Sequence, residues 1–319
     1  MVSKTMNNVA NVLKALGHPE RLRILALLSR GELTVSELVQ ILDLSQPRIT
    51  QYIKSLENVG VLQRVKEGSW VFSRISRKDK TITGIIAASL AAIPETDPII
   101  HSDNERLKRV REKRAQSVKS FFDRVADDRD QLGYEYLSQA DIEKAMLDIA
   151  GHGPFNYMID MGTGTGRMLE VFAPYVKRGS GLDANVDMLK VARHNLAGRA
   201  LNHLTVRRAD LTTSPLPSGS ADLITLHQVL HYLDDPSQAI REAARLLSAN
   251  GRVLIVDFVT HNLELFREKY AHRRLGFSDE DMATWLSLAG LSLQKTHRVN
   301  VNVKGRPDVK IWCAVPDKP

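Results

Sequence analysis

Apolar positions in the first sixty residues recur at helical spacing in short, interrupted runs. Leu13, Leu16, Leu22, Ile24, Leu25, Leu27 and Leu28 make a helical pair broken at Gly17-His18-Pro19, where Pro19 suits the first turn of a new helix. Thr34-Val35-Ser36-Glu37 is a capping-box pattern that opens a short helix through Ile41. Ser45 is placed to cap the next helix, whose buried stripe is Ile49, Ile53 and Leu56. After Gly60 the pattern becomes extended, with strands expected at 61–66 and 70–75 around Glu67-Gly68-Ser69. The order is helix, tight turn, helix and a two-stranded wing.

If that stripe faces inward, Gln46, Arg48, Thr50, Gln51 and Lys54 are left on the open face of the second helix. Those side chains can hydrogen-bond base edges or phosphates in a major groove. Arg64, Lys66 and Arg74, on or beside the wing, are placed for the backbone or the minor groove. Charge supports this: residues 1–80 hold 13 Lys/Arg against 7 Asp/Glu, whereas the remainder holds 31 against 30. The overall charge of +7 is therefore concentrated at the start of the chain, as a polyanion partner requires.

The segments Leu16-Gly-His-Pro-Glu-Arg-Leu-Arg-Ile-Leu25, Glu37-Leu38, Leu44-Ser-Gln-Pro-Arg-Ile-Thr-Gln-Tyr-Ile-Lys-Ser-Leu56 and Gly60-Val-Leu62 together resemble the winged-helix domain of the ArsR/SmtB repressors. The resemblance runs from about Leu13 to Ile75 and implies binding to a double-stranded operator as a homodimer through the first and last helices of the domain. Val9, Val12, Leu13 and Leu16, with Ile82, Ile85, Ile86, Leu90 and Ile93, supply two apolar stripes suited to that interface. Many metal-sensing relatives carry a Cys-x-Cys pair that has no counterpart at Leu33-Thr34-Val35-Ser36, and no metal site is expected. A protein-binding winged helix is the competing reading of this module.

Pro94-Glu95-Thr96-Asp97-Pro98 punctuates the chain and marks a linker. A long charged helix is expected from 105 to 128, with Leu107, Val110, Val118, Phe121, Phe122 and Val125 as sparse apolar positions and docking mainly through its C-terminal part. The cations within 106–114 read as a solvated face in preference to a DNA contact.

From residue 155 short apolar runs alternate with helical patterns, the signature of a doubly wound, mostly parallel sheet. Strands are expected at 157–161, 181–183, 204–207, 223–227, 252–258, 293–299 and 309–315, the last two as a hairpin. Helices are expected at 167–173, 186–197, 236–248 and 278–288. Asp160-Met161-Gly162-Thr163-Gly164-Thr165-Gly166 sits at a strand-to-helix turn, where closely spaced glycines let a ligand approach the backbone. Asp183 closes the next strand, where nucleotide-binding folds place a carboxylate on a ribose diol. Ala209-Asp210-Leu211 follows the third strand, and Asp210 is either an adenine contact or a loop cap.

Together with 220–236 and 251–258, these stretches resemble a class I methyltransferase dependent on S-adenosylmethionine. The resemblance implies that Gly162, Gly164 and Gly166 line the methionine end of S-adenosylmethionine or S-adenosylhomocysteine, with Asp160 and Thr163 also among the cofactor-binding residues. It gives Asp183 the ribose and Asp210 the adenine, packs Met188 near the adenine, and places Ala184 and Leu211 among the cofactor-binding residues. His227 either closes the pocket or is a satisfied interior histidine. Tyr134 and Tyr136 fall where many such enzymes cover the cofactor.

No catalytic residue is readable, since methyl transfer from a sulfonium is accelerated largely by alignment and needs a base only if the acceptor must lose a proton. The only cysteine, Cys313, lacks the Pro-Cys setting of cytosine-C5 methylation, and Leu226-His227-Gln228-Val229 replaces the Asn/Asp-Pro-Pro-aromatic signature of amino-group methylation. A single cysteine also excludes an internal disulfide framework. His227, His231, His261 and His272, with His272-Arg-Arg-Leu-Gly-Phe277, are either a pocket for a small anionic acceptor or helix-capping and surface residues. No apolar run reaches the ~18 residues of a membrane span and no signal-peptide pattern is present, so a cytoplasmic protein is expected.

The expected organisation is an N-terminal winged helix-turn-helix over 1–93, a linker and helical connector over 94–150, and a Rossmann-like methyltransferase domain with a seven-stranded sheet over 151–319. The leading functional expectation is a dimeric DNA-binding repressor with S-adenosylhomocysteine or S-adenosylmethionine as effector. The alternative is an active small-molecule methyltransferase carrying a DNA-binding domain.

Overall fold

The computed structural model describes residues 6–67, 70–76, 79–94, 96–127, 139–151, 153–301 and 305–317; the side chains of 67, 114–115 and 117–139 lie outside that description. The chain separates into two compact units, Met1–Gln116 and Ser117–Pro319.

In the first unit, α1 (Met6–Leu16) and α2 (Pro19–Leu28) precede β1 (Leu33–Thr34), α3 (Val35–Leu42) and α4 (Gln46–Asn58). The wing is β2 (Leu62–Glu67) and β3 (Trp70–Ile75), and β3 also pairs with β1 to give a three-stranded antiparallel sheet. The joining residues Gly68 and Ser69 lie outside the described residues. Thr34 and Glu37 close the capping box reciprocally, with Glu37 N–H donating to Thr34 Oγ1 at 3.3 Å and Thr34 N–H donating to Glu37 Oε2 at 2.8 Å. Ser45 occupies the N-cap position of α4 but its side chain makes no capping bond, so fixed-φ Pro47 in the first turn supplies the start signal. Ile49, Ile53 and Leu56 are buried, as their spacing requires.

α5 (Lys80–Ala91) completes this core, as does the first half of α6 (Pro98–Asp127). The apolar stripes of α1 and α5 divide their allegiance: Val12, Leu16 and Ile86 are buried within the unit itself, while Leu13 is exposed. The N-terminal half of α6 docks on this unit, a contact the sequence did not indicate; the expected docking of its C-terminal part lies outside the described side chains. Leu107 is buried, and Arg23 grips the buried Asp103 with two bonds of 2.7 Å. Arg106 donates to the carbonyl of Ile41 and Arg111 to that of Arg30, so these cations tie helix ends in place. The side chains of Val118, Phe121, Phe122 and Val125, and all of Tyr134 and Tyr136, fall outside the described residues.

The second unit begins its described part with α7 (Gln139–Ala150) and is organised on β4 (Met158–Met161), β5 (Gly179–Asp183), β6 (Leu204–Arg208), β7 (Ala221–His227), β8 (Leu247–Phe258), β9 (Leu291–Val299) and β10 (Val309–Pro316). The order across the sheet is β6-β5-β4-β7-β8-β10-β9, parallel except for β10, which runs antiparallel between β8 and β9. The expected terminal hairpin is present, with its second strand inserted into the sheet.

Strand residues alternate between two cores. Ile159, Ile224, Ile255 and Trp312 meet α10 (Pro236–Leu246) and α12 (Asp279–Leu288) on one face. Met158, Leu223, Leu254 and Ile311 meet α7 and α8 (Arg167–Phe172) on the other, with Leu196 of α9 (Val186–Gly198). Burial on both faces explains why these strands read as nearly continuous apolar runs. A one-turn helix, α11 (Leu265–Tyr270), lies in the β8–α12 connection. Residues 247 and 248, expected at the end of α10, instead open β8, because Ala221 pairs with Leu247.

Candidate functional site

The sheet order reverses between β4 and β7, and the loops leaving those strands therefore diverge to open a crevice, the usual ligand position in such sheets. Gly162, Gly164 and Gly166 all have positive φ, at 79°, 51° and 84°, which side chains rarely adopt. A Cβ on Gly162 would overlap Val229 from the β7 loop, and one on Gly166 would lie 3.3 Å from Ala192 of α9. A Cβ on Gly164 meets no atom within 4 Å. Two of the glycines thus permit close packing, and the middle one faces open space.

Asp183 faces this loop. Its Oδ2 accepts from Gly164 N–H at 2.9 Å and its Oδ1 from Asn185 N–H at 2.8 Å, so the carboxylate is fixed while lone pairs remain. Burial raises its pKa against these backbone bonds. Asp160 is fully buried, and its Oδ1 accepts from Thr225 Oγ1 at 2.6 Å. Burial pushes the Asp160 carboxyl up to about 6, opposed by the Thr163 and Thr225 hydroxyls. Oδ2 of Asp160, Nε2 of His227 and Nε2 of Gln228 are buried without a hydrogen-bond partner among the described residues. Gln228 is also held at φ 51°, an uncommon conformation for a residue with a side chain.

The remaining expected cofactor residues are distributed unevenly. Met188 and Leu211 are buried, Thr163 is buried beside Gly181, and Ala184 is exposed at the end of β5. Asp210 is exposed and its Oδ1 accepts from both the backbone N–H and the hydroxyl of Thr212 at 2.7 Å, so this oxygen caps the loop. His227 is held neutral by burial, which lowers its pKa to about 4 despite the pull of Asp257 and Glu143.

Thr225, Gln228, Val229 and Asp257 belong to this region and were not singled out from sequence. Asp257 had a legible signal, as the acidic end of an apolar strand aligned with the end of β7. His227 pairs with Val256 in the sheet, one residue before it. The partner it finds, His231, required the tertiary structure: Nδ1 lies 2.7 Å from Asp257 Oδ1, with both side chains buried.

On the first unit, Gln46, Arg48, Thr50, Gln51 and Lys54 are all exposed along α4. All of these but Arg48 border a shallow open depression with Pro47. Thr50 Oγ1 donates to its own helix at Gln46 O. Lys66 is exposed on β2, whereas Arg64 is paired with Glu57 of α4 at 2.7 Å and the partly buried Arg74 with Glu32 at 3.5 Å. Arg64 therefore also anchors the wing to α4, and Arg74 ties it to the α2–β1 loop. Among the described residues no group of three or more His, Cys, Asp or Glu is placed to hold a metal, and no helix is long and apolar enough to cross a membrane.

A mixed seven-stranded sheet with a glycine loop at its reversal point is the Rossmann-like fold of class I methyltransferases. Residues 159–255 match the family described as a methyltransferase domain, and residues 18–64 match the bacterial regulatory protein family arsR. The chain thus carries an ArsR-family helix-turn-helix and a class I methyltransferase-like domain. It is 33% identical over 100 residues to the uncharacterized methyltransferase YcgJ of Bacillus subtilis, covering 31% of this chain and 40% of that protein. It is 30% identical over 128 residues to the ubiquinone/menaquinone biosynthesis C-methyltransferase UbiE of Shewanella frigidimarina, covering 39% of this chain and 51% of that protein. It therefore spans about half or less of these relatives. The crystal structure of YcgJ has a TM-score of 0.50 at 19% identity, covering 57% of this chain and 100% of the other. The N-methyltransferase NodS of Bradyrhizobium japonicum, solved with S-adenosylhomocysteine, has a TM-score of 0.54 at 16% identity, covering 63% and 99%. At those identities the likeness is one of fold.

Proposed function

We propose that this chain is a DNA-binding transcriptional repressor whose methyltransferase-like domain takes S-adenosylhomocysteine or S-adenosylmethionine as its effector. The observation that carries this reading is the presence in one chain of an exposed polar and cationic α4 face and a preformed glycine-loop cradle. In this reading α4 enters the major groove of an operator through Gln46, Arg48, Thr50, Gln51 and Lys54. Lys66, with Arg64 and Arg74 when released from their carboxylates, reaches the phosphates. The exposed Leu13 and the outer face of α5 pair two copies into a homodimer.

The residues around the loop fit the adenosyl ligand. Asp183 retains lone pairs for two ribose hydroxyls, the open side of Gly164 accommodates the amino-acid end, and the partnerless oxygen of Asp160 can accept from an ammonium group. Asp210 retains Oδ2 for an adenine amino group. Bound S-adenosylmethionine would supply an electrophilic methyl group.

An effector shifts DNA affinity only through a difference in its own affinity for the two states. The test is anisotropy titration of DNA from upstream of the chain's own gene, with each ligand added separately. The expected outcome is a change in Kd of about tenfold or more with one of them, or about 1.4 kcal/mol. An unchanged Kd with both ligands bound would overturn the effector role.

A second reading, methyl transfer to a small molecule, is favoured by the buried His231–Asp257 pair beside the loop.

A further inference from the structure

Next to the glycine loop, beyond Val229, lies a buried cluster that cofactor binding does not explain. His231 follows β7 in the same loop as Val229, which packs directly on Gly162. Its carbonyl accepts from the N–H groups of Arg273 at 2.9 Å and Arg274 at 3.0 Å, which fixes its backbone. Its Nδ1 lies 2.7 Å from Asp257 Oδ1, and a carboxylate can only accept, so the ring hydrogen is on Nδ1. Nε2, which carries the lone pair whenever the ring is neutral, is buried with no partner among the described residues. A histidine kept only for packing leaves that atom unsatisfied at a cost of about 1–3 kcal/mol, which an apolar side chain would avoid.

The surroundings are rings. His272 stacks on His231 with centroids 3.9 Å apart, Tyr232 is at 4.2 Å and Phe258 at 5.3 Å, and Phe266 lies 5.1 Å from His272. The titratable and charged groups facing His231 are Asp257 from β8, His227 from the end of β7, and His261 and His272 from the β8–α12 connection; Arg267 stands behind those two. Glu143 of α7 acts on His227 and Glu264 on His261. Asp257 Oδ1 accepts from both His231 Nδ1 and Phe258 N–H, which fixes the carboxylate against the imidazole, while its Oδ2 is buried without a partner among the described residues. The cover over this cluster includes α11, none of whose residues is fully buried and whose Phe266 packs on Phe258, His261 and His272, so an entering molecule would have to displace those ring contacts.

We propose that His231 is the general base, and Asp257 its positioning residue, for methylation of an aromatic hydroxyl by this domain; this rests on the glycine loop binding S-adenosylmethionine. His231 Nε2 takes the hydroxyl proton. The acceptor oxygen forms a bond to the methyl carbon as the carbon–sulfur bond breaks, and that electron pair remains on sulfur. The products are the aryl methyl ether and S-adenosylhomocysteine, and the imidazolium held by Asp257 releases its proton to solvent. A base is needed here because a phenol, unlike an amine with a free lone pair, is a poor nucleophile until its proton leaves.

The test uses the full chain saturated with S-adenosylhomocysteine and 4-nitrophenol as probe, whose ionised form absorbs apart from its neutral form. Wild type is expected to bind the probe as phenolate, with His231 showing the Nδ1–H tautomer by nitrogen NMR. His231→Gln is expected to bind it about tenfold more weakly and un-ionised. Asp257→Asn, which preserves side-chain shape, is expected to keep S-adenosylhomocysteine affinity while losing the fixed tautomer and the phenolate signal. With S-adenosylmethionine, transfer to the probe should fall about 100-fold in either variant, the lower range of general-base effects. Normal S-adenosylhomocysteine binding with no phenolate uptake, or with uptake indifferent to His231→Gln, would overturn the base. Failure of wild type to bind S-adenosylhomocysteine would overturn the cofactor reading as well.

Discussion

Gly162 and Gly164 share the left-handed backbone and differ in what surrounds them. Gly162→Ala adds about 1–2 kcal/mol of backbone strain to an overlap with Val229 of about 1–3 kcal/mol, so the second unit should lose stability measurably in denaturant. Gly164→Ala carries only the backbone strain, since its Cβ points into open space. It should melt nearly as wild type yet bind S-adenosylhomocysteine at least about tenfold more weakly by calorimetry, because the methyl group occupies ligand space. Equal affinity in this variant would remove the loop from the binding site.

Two buried groups near the loop respond to pH with opposite sign. The folded-state pKa of Asp160, about 6, lies above its ordinary 3.8, so its contribution is present below 3.8 and lost as pH rises through 6. Asp160→Asn should therefore stabilise the ligand-free protein at neutral pH, by an amount on the order of 2–3 kcal/mol. His227 is lowered to about 4 by burial, so its contribution is present above 6.5 and lost as pH falls toward 4. His261 is likewise lowered to about 4, and His272 well below its ordinary value, both by burial. Melting curves should show a loss of stability between pH 6.5 and 4 that is steeper in Asp160→Asn, where the opposing contribution is gone. A flat profile in that variant would contradict the buried neutral histidines.

At the scale of elements, the two helix starts of the helix-turn-helix are built differently. Thr34 makes a reciprocal box with Glu37, whereas Ser45 makes no side-chain cap. Thr34→Ala should cost about 1 kcal/mol and Ser45→Ala only a few tenths, read as shifts in urea midpoint. The buried Arg23–Asp103 pair attaches α6 to the first unit and raises the arginine's pKa through that hydrogen bond. Asp103→Ala should cost about 3 kcal/mol or more by stranding a partly buried guanidinium, and circular dichroism melts would detect it. Sequence patterning located most elements because caps, prolines and apolar spacing are local. It missed the docking of the N-terminal half of α6, since one buried Asp in a charged helix has no distinguishing period. It also ran α10 into β8, because helical propensity at Leu247 and Ser248 is overridden by pairing across the sheet.

For the whole molecule, charge placement predicts how DNA binding should respond to salt. With the excess in the first eighty residues, affinity should fall steeply as salt rises. Lys54→Ala, if Lys54 contacts a phosphate, should weaken binding to all sequences alike and reduce the logarithmic salt slope by about 1. Arg48→Ala should alter the preference among sequences if its side chain reads a base edge, at about 1–3 kcal/mol for that position. Competition binding at several salt concentrations separates the two.

The sequence alone determined the two folds, the face of α4, the glycine loop and the acidic residue after the following strand. Each depends on periodicity or on spacing within one strand–turn–helix unit. Only the tertiary structure decided which of Gly162, Gly164 and Gly166 faces open space, that Asp210 caps its own loop, and that Arg64 and Arg74 are held by carboxylates. It alone brought His231, in the loop that leaves β7, to Asp257 near the end of the adjacent β8, a partnership that depends on which strands are neighbours in the sheet. Periodicity records which way a side chain points along its own strand; the neighbour it meets depends on strand order, and no local pattern carries that.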